Sequence, residues 1–355
     1  MLRQIARLTR NVPSAGPRSL AVAVYADAGD VTVGAKESGT EGVACVDDAA
    51  RALELYCDLW DATRLPWTHR WCEGLLDFIL SMQDDDGRWV NFILDWDGTP
   101  NRTGRTSVPG GGFWQSRALL AVARASRSLP DERIATALSI GLPHIVGATE
   151  VASDVRALQA LTALTLLDSG SADDRWDDLL TTWSDEIASC RIDGMLMNAT
   201  AERGSPHLWG HIQEGVLAEI GARLGRSALI ETACTSADRI FPGVIATGFD
   251  LPRTQPYDVS SAVFSLSRLA AVTGRAGYSQ LAAEAREWFD GRNPARLSVY
   301  DRVSGRVADG LDGSRISPRS GAEANIVAAQ ALFAEATEMA LMLPLADALP
   351  AGTVV

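Results

Sequence analysis

The sequence has no basic stripe to offset its acids. A formal net charge of -13 over 355 residues repels phosphate backbones and anionic lipid surfaces, so neither nucleic acid nor a membrane is an expected partner. It also lacks a CxxC pair. The five cysteines, Cys45, Cys57, Cys72, Cys190 and Cys234, are odd in number, widely spaced and set mostly in apolar helical pattern, which excludes a disulfide framework and reads as reduced core residues of a cytoplasmic protein. No GxxxxGK[ST] phosphate loop or G-x-S-x-G elbow occurs, and GGG at 110–112 opens a helix without a strand before it. Nucleotide and serine-hydrolase chemistry fall away. HExxH is absent, and DWDGTPN at 95–101 lacks the full ligand pattern and terminal glutamate of a calcium loop. No metal and no cofactor is expected.

Long lipid-spanning runs are missing too. The most apolar stretch, NIVAAQALFAEATEMALML, carries Gln330, Glu335 and Glu338, which a membrane helix rarely tolerates. The basic start MLRQIARLTRNVPSAG is followed by an apolar run that is short and lies beyond a proline and a glycine, so no export signal is read.

What is present is helix after helix. Apolar residues at three-and-four spacing predict helices near 46–62, 69–83, 114–129, 131–147, 154–168, 174–190, 207–224, 226–240, 258–273, 277–290 and 321–342, with 2–10 as one more. They come in pairs. One member is apolar nearly all round (RALLAVARA, VRALQALTALTLL), while its companion is amphipathic (RWDDLLTTWSDEI, SQLAAEAREWF). A helix apolar on every side needs cover on every side, so the expected fold is all-α, an (α/α)6 toroid of roughly six hairpins in one domain over 1–355. Residues 1–40 are read as an N-terminal extension or a final outer helix. Two long irregular segments, 84–112 and 291–321, precede inner helices, and SVYDRVSGRVADG within the second is expected to form a small hairpin.

The presumed inner helices open with VDDAAR, GFWQSR, SDVRALQ, HLWGHIQE, QPYDVSS and SGAEAN. In stacked hairpins these N-termini share one mouth, where helix dipoles favour anions and first-turn side chains converge. Trp89, Trp96, Trp114, Trp209 and Tyr257 lie in or near these segments. Their rings suit the apolar faces of sugars, although each also suits simple packing.

VDDAARAL, WQSRALLAVAR, QPYDVSSAV and DGLDGSRISPRSGAEANIVAAQAL resemble motifs of bacterial (α/α)6 carbohydrate-active proteins, including glycoside-hydrolase-like domains found beside or fused to glycosyltransferases. The likeness is scattered over about 41–335 and strongest at SGAEANI. It implies a carbohydrate substrate. Such families often carry an acid just before the position of Gln115-Ser116-Arg117, where Phe113-Trp114 stand here.

Glycosidic cleavage needs one protonated carboxyl and one ionised carboxylate. Asp47 and Asp48 point some 100° apart on a helix, so both cannot serve. Asp48 is assigned to the cavity and Asp47 to Arg51 or a substrate hydroxyl, with N-capping of the helix the structural alternative. Glu323 is the second acid candidate, against a capping box with Ser320. Asp258 and Glu214 are reserves. His207, His211 and Glu214 fall at i, i+4 and i+7, a pattern that a zinc site could use but that suits hydroxyl binding better. Asp95, Asp97, Trp114, Gln115, Trp209, Tyr257 and Asp312 complete the expected substrate-binding set. The leading expectation is therefore an inverting glycoside hydrolase acting on a small oligosaccharide or glycoside. Its rivals are a sugar epimerase or isomerase using His207 and His211, and a non-catalytic glycan-binding module.

Overall fold

A computed structural model describes residues 1–29, 31–34, 41–170, 173 and 175–344. Among them the chain forms thirteen α-helices, and its strands are only two or three residues long. Packing divides the chain into two compact units. The first holds Met1–Ala148, Tyr300–Asp309 and the chain from Pro318 onward, and the second holds Thr149–Val299 and Gly310–Ser317.

In the first unit, the helix Val46–Thr63 buries Val46, Ala49, Ala50, Ala52, Leu53, Leu55, Tyr56 and Leu59, more than one face. It ends where Arg64 turns left-handed (φ 54) and donates its N–H to Trp60 O. Pro66 then opens Pro66–Ser81 at a position where a missing N–H costs nothing. Within that hairpin Tyr56 stacks on Trp71 with centroids 4.4 Å apart. Gly112–Ala125 and Glu132–Val146 form the next pair. Ala322–Ala331 and Phe333–Met342 divide what the periodicity predicts as one helix over 321–342, because Leu332 leaves helical geometry (φ -102, ψ 39). No glycine or proline marks that break. The helix expected over 2–10 is Leu2–Leu8, after which Thr9–Asn11 pairs with Leu20–Val22. Residues 30 and 35–40 of the expected N-terminal extension lie outside the described residues.

A short extended segment ties two helix starts together. Val24 donates its N–H to Val43 O at 3.0 Å and accepts from Ala322 N at 3.2 Å. Gly321 lies so close to this segment that a Cβ would stand 2.3 Å from Val24 O. Only glycine fits there. The hairpin expected in SVYDRVSGRVADG forms between Tyr300–Asp301 and Arg306–Val307.

In the second unit, Ser153–Asp168 is buried around most of its circumference, whereas Arg175–Ser189 buries a stripe of Trp176, Leu180, Trp183, Ser184 and Ile187. This is the pairing of unlike helices that the sequence predicts. Residue 174, the expected start of the second, lies outside the described residues. Gln213–Arg223 with Ser227–Ala246, and Pro256–Thr273 with Ala276–Arg286, follow. The helix expected from 207 starts only at Gln213, since Gly210 takes φ 70 in an irregular approach. Arg253–Thr254, Leu311–Asp312 and Arg315–Ile316 make a three-stranded sheet with Leu311–Asp312 in the middle. All five cysteines are free and buried. No helix among the described residues is long and apolar enough to cross a membrane.

Candidate functional site

The first unit gathers charge at the start of Val46–Thr63. Cys45 is the N-cap, and its Sγ accepts from Asp48 N and donates to Asp48 Oδ2, both at 3.4 Å. Asp47 N donates to Asn91 Oδ1 at 3.1 Å. Arg117 Nη1 stands 2.6 Å from each oxygen of Asp47. One turn into the helix, Arg51 meets three acids: Asp48 Oδ1 at 2.8 Å, Asp47 Oδ2 at 3.2 Å and Glu323 Oε2 at 3.1 Å. Arg51 and Arg117 are 4% and 1% exposed, so both guanidiniums act with little water to weaken them.

Three carboxyls thus share two cations. Burial opposes a surplus negative charge, so one carboxyl is pressed to keep its proton. Asp48 is that group. Burial pushes its pKa up to about 7, against the pull of Arg51 and with the added push of the Glu323 and Asp47 charges. Asp47 goes the other way: burial acts to raise it, but Arg117 and Arg51 outweigh that and hold it below the usual carboxylate range. Neighbouring acids with divided pKa values are the arrangement from which acid and base roles are built. Further along the helix, burial and then the Asp58 charge push Glu54 up to about 8.

Ser320 and Glu323 do not form the expected capping box. The N-cap is Gly321, Ser320 Oγ accepts from Asn325 Nδ2 at 3.0 Å, and Glu323 reaches across to Arg51. Gln115 is committed to a loop: its Oε1 accepts from Trp89 N at 3.0 Å and its Nε2 donates to Gly87 O at 3.1 Å. Trp89 is fully buried, donating to Ile79 O, and so is core rather than a sugar platform. Trp114 is half-buried and donates to Trp89 O and Val108 O, both at 3.1 Å. A Cβ on Gly111 would fall 1.8 Å from its ring, which accounts for that glycine. Asp95 and Asp97 are exposed turn-formers, accepting from Trp96 N and from Thr99 N and Oγ1.

The second unit holds the other candidates. His207, His211 and Glu214 do not share a helical face, because only Glu214 lies in the helix. His207 is exposed. His211 is fully buried, with Nδ1 2.7 Å from Asn198 Oδ1 and Nε2 2.9 Å from Glu214 Oε1. Ser236 Oγ donates to the same Glu214 oxygen at 2.6 Å, and Glu214 Oε2 has no partner among the described residues. Trp209 and Tyr257 meet edge to face at 5.2 Å. Asp258 closes a capping box with Gln255, whose N–H it accepts at 2.6 Å. Asp312 is the exposed residue of the middle strand, opposite Arg253 and Arg315.

Arg117, Cys45 and Asn91 join this site without belonging to the set expected from the sequence. Arg117 had a signal, its place one turn into a helix as buried as that of Arg51.

No protein-family model matches the chain, and no curated protein matches it either. Solved structures do. Cellobiose 2-epimerase from Bacillus thermoamylovorans B4167 superposes with a TM-score of 0.73 at 10% identity, covering 94% of this chain and 96% of that one. D-mannose isomerase gives 0.69 at 9%, covering 95% of each. An inactive variant of the α-1,6-mannanase GH76A of Salegentibacter sp. HEL1_6, with two consecutive aspartates changed to asparagine and α-1,6-mannotriose bound, gives 0.65 at 12%, covering 94% and 97%. These likenesses show the fold, which is all-α and of the α/α-toroid class.

Proposed function

We propose that the chain is a carbohydrate-active enzyme that hydrolyses glycosidic bonds, with Asp48 as proton donor and Glu323 as the ionised partner. The observation that carries this is the binding of both carboxyls by the single guanidinium of Arg51. A planar guanidinium with an acid on each Nη spaces the two at roughly 5–8 Å, a span that overlaps the separations used by paired-acid glycosidases. Asp48 protonates the leaving oxygen as the anomeric C–O bond breaks. Glu323 takes a proton from the water that attacks the opposite face, and the anomeric configuration inverts. Arg51 sets the spacing, and Arg117 keeps Asp47 ionised beside the donor. The sugar substrates in the neighbours' names, a mannanase among them, support the substrate class.

The test is a panel of glycosides and small oligosaccharides with NMR detection of the first anomer released. Wild type is expected to release the inverted anomer, and Asp48→Asn and Glu323→Gln each to lose about 10²–10⁴-fold in turnover. Undiminished turnover in both removes the assignment.

Epimerisation or isomerisation in the second unit is the alternative. It is supported by the epimerase and isomerase neighbours and by the contact of His211 with Glu214. Solvent deuterium entering the sugar beside its carbonyl, lost in His207→Ala or His211→Ala with no hydrolysis product formed, would favour it.

A further inference from the structure

The N-terminal segment brings one more side chain to the acids. Ala23 is bridged to Ala44, Val24 is bonded to Val43 and Ala322, and Tyr25 O accepts from Val33 N at 3.2 Å. Beyond Tyr25 the arm folds back through the Ala26↔Thr32 bridge. Arg306 holds it by donating to Ala28 O at 2.6 Å and Asp27 O at 3.2 Å. The backbone of Tyr25 is therefore fixed one residue from the point where the starts of Val46–Thr63 and Ala322–Ala331 are joined.

Its side chain is half-buried. The phenol lies within electrostatic reach of Asp48, Cys45, Glu323 and Asp309, charges on both helix starts and on the loop before the second. No hydrogen bond engages its hydroxyl among the described residues, although the carboxyls around it are paired. Burial first, and then those acids, raise its pKa, so at neutral pH it stays a neutral O–H able to donate and to accept. A neutral, unspent hydroxyl carried on a fixed backbone within reach of two acids suits a polar, uncharged ligand group.

We infer that Tyr25 is a substrate-contacting residue of the Asp48–Glu323 site, its phenol bonding a hydroxyl of the sugar whose glycosidic bond the two acids cleave. This deepens the hydrolytic reading and rests on it for the identity of the reaction, while the contact itself is testable separately. A phosphate could take only its proton and an ammonium only its lone pair. A neutral sugar hydroxyl takes both its proton and its lone pair.

The experiment uses the full chain with ring-13C-labelled tyrosine, and Tyr25→Phe assigns the signal. As pH passes through about 7, ionisation of Asp48 in the field of Asp47, Arg51, Glu323 and Cys45 is expected to move the Tyr25 resonance in wild type and not in Asp48→Asn. A Tyr25 signal indifferent to both pH and added sugar overturns the inference. With a glycoside that turns over, Tyr25→Phe is expected to lower kcat/KM about tenfold or more, an effect the size of one lost hydrogen bond, with the pH limb of Asp48 and the unfolding midpoint unchanged. Wild-type kcat/KM in that variant also overturns it. If wild type hydrolyses nothing in the panel but those sugars still shift the Tyr25 signal, the hydrolytic reading fails and the contact stands.

Discussion

Changing Asp48 to Asn turns its buried proton into a stability measurement. The carboxyl is 3% exposed, and its pKa stands at about 7 in the folded chain against 3.8 as the ordinary value. Between those values the folded state holds a proton that the unfolded state has released, so wild-type stability falls as pH rises. Below about 4 neither state is charged and the penalty vanishes. Above about 7 both are charged and it is constant. A tenfold difference in proton affinity between the two states corresponds to about 1.4 kcal/mol, so the penalty reaches at most about 4 kcal/mol. Asn carries no such charge. Urea unfolding of wild type and Asp48→Asn at half-unit steps from about pH 4 to about pH 8.5 should show the variant gaining relative to wild type up to neutrality, then running parallel. Taking the difference removes other titrations, that of Glu54 among them, so far as they are independent of Asp48. A stability difference that stays constant across the range would refute the argument that this carboxyl is the one holding the proton.

Two further changes test the scaffold. Gly321→Ala places a Cβ 2.3 Å from the Val24 carbonyl oxygen and is expected to cost about 2–4 kcal/mol by urea unfolding. Gly243→Ala, inside Ser227–Ala246 with nothing within 4 Å of its Cβ, should be neutral or stabilise by up to about 1 kcal/mol; equal costs at the two sites would discard the close-approach argument. Arg117→Met leaves Asp47 one cation for two, and the loss of a buried partner is expected to cost about 3 kcal/mol in the same assay. A loss below about 0.5 kcal/mol would mean that water screens the pair.

The sequence makes the helices legible because burial imposes a strong period on them, and Asp47, Asp48 and Arg51 are legible as neighbours because three-and-four spacing fixes them locally. Glu323 joins Arg51 from 272 positions away, and Arg117 joins Asp47 from 70 away. No local rule reports such meetings. The apolar pattern of HLWGHIQE continues the period of the helix after it, but Gly210 at φ 70 breaks it, and Glu202 ties that approach by accepting from Asn198 N and His207 N. The glycine is the clue that the period conceals. At the other helix start the capping box expected on Ser320 falls one residue early, while the box that forms begins with Gln255, a residue seldom found as an N-cap.

The joint at Val24 also sets an order of assembly. A nascent chain that has emerged as far as Val146 already carries Asp47, Asp48, Arg51 and Arg117, yet Val24 has no Ala322 to accept from and Arg51 lacks its third acid until the ribosome has added some 175 more residues. Closing so long a loop is slow. The early helices must wait with their apolar faces only partly covered, so growth at lower temperature or with chaperones in excess should raise the yield of folded chain more than any change at the surface.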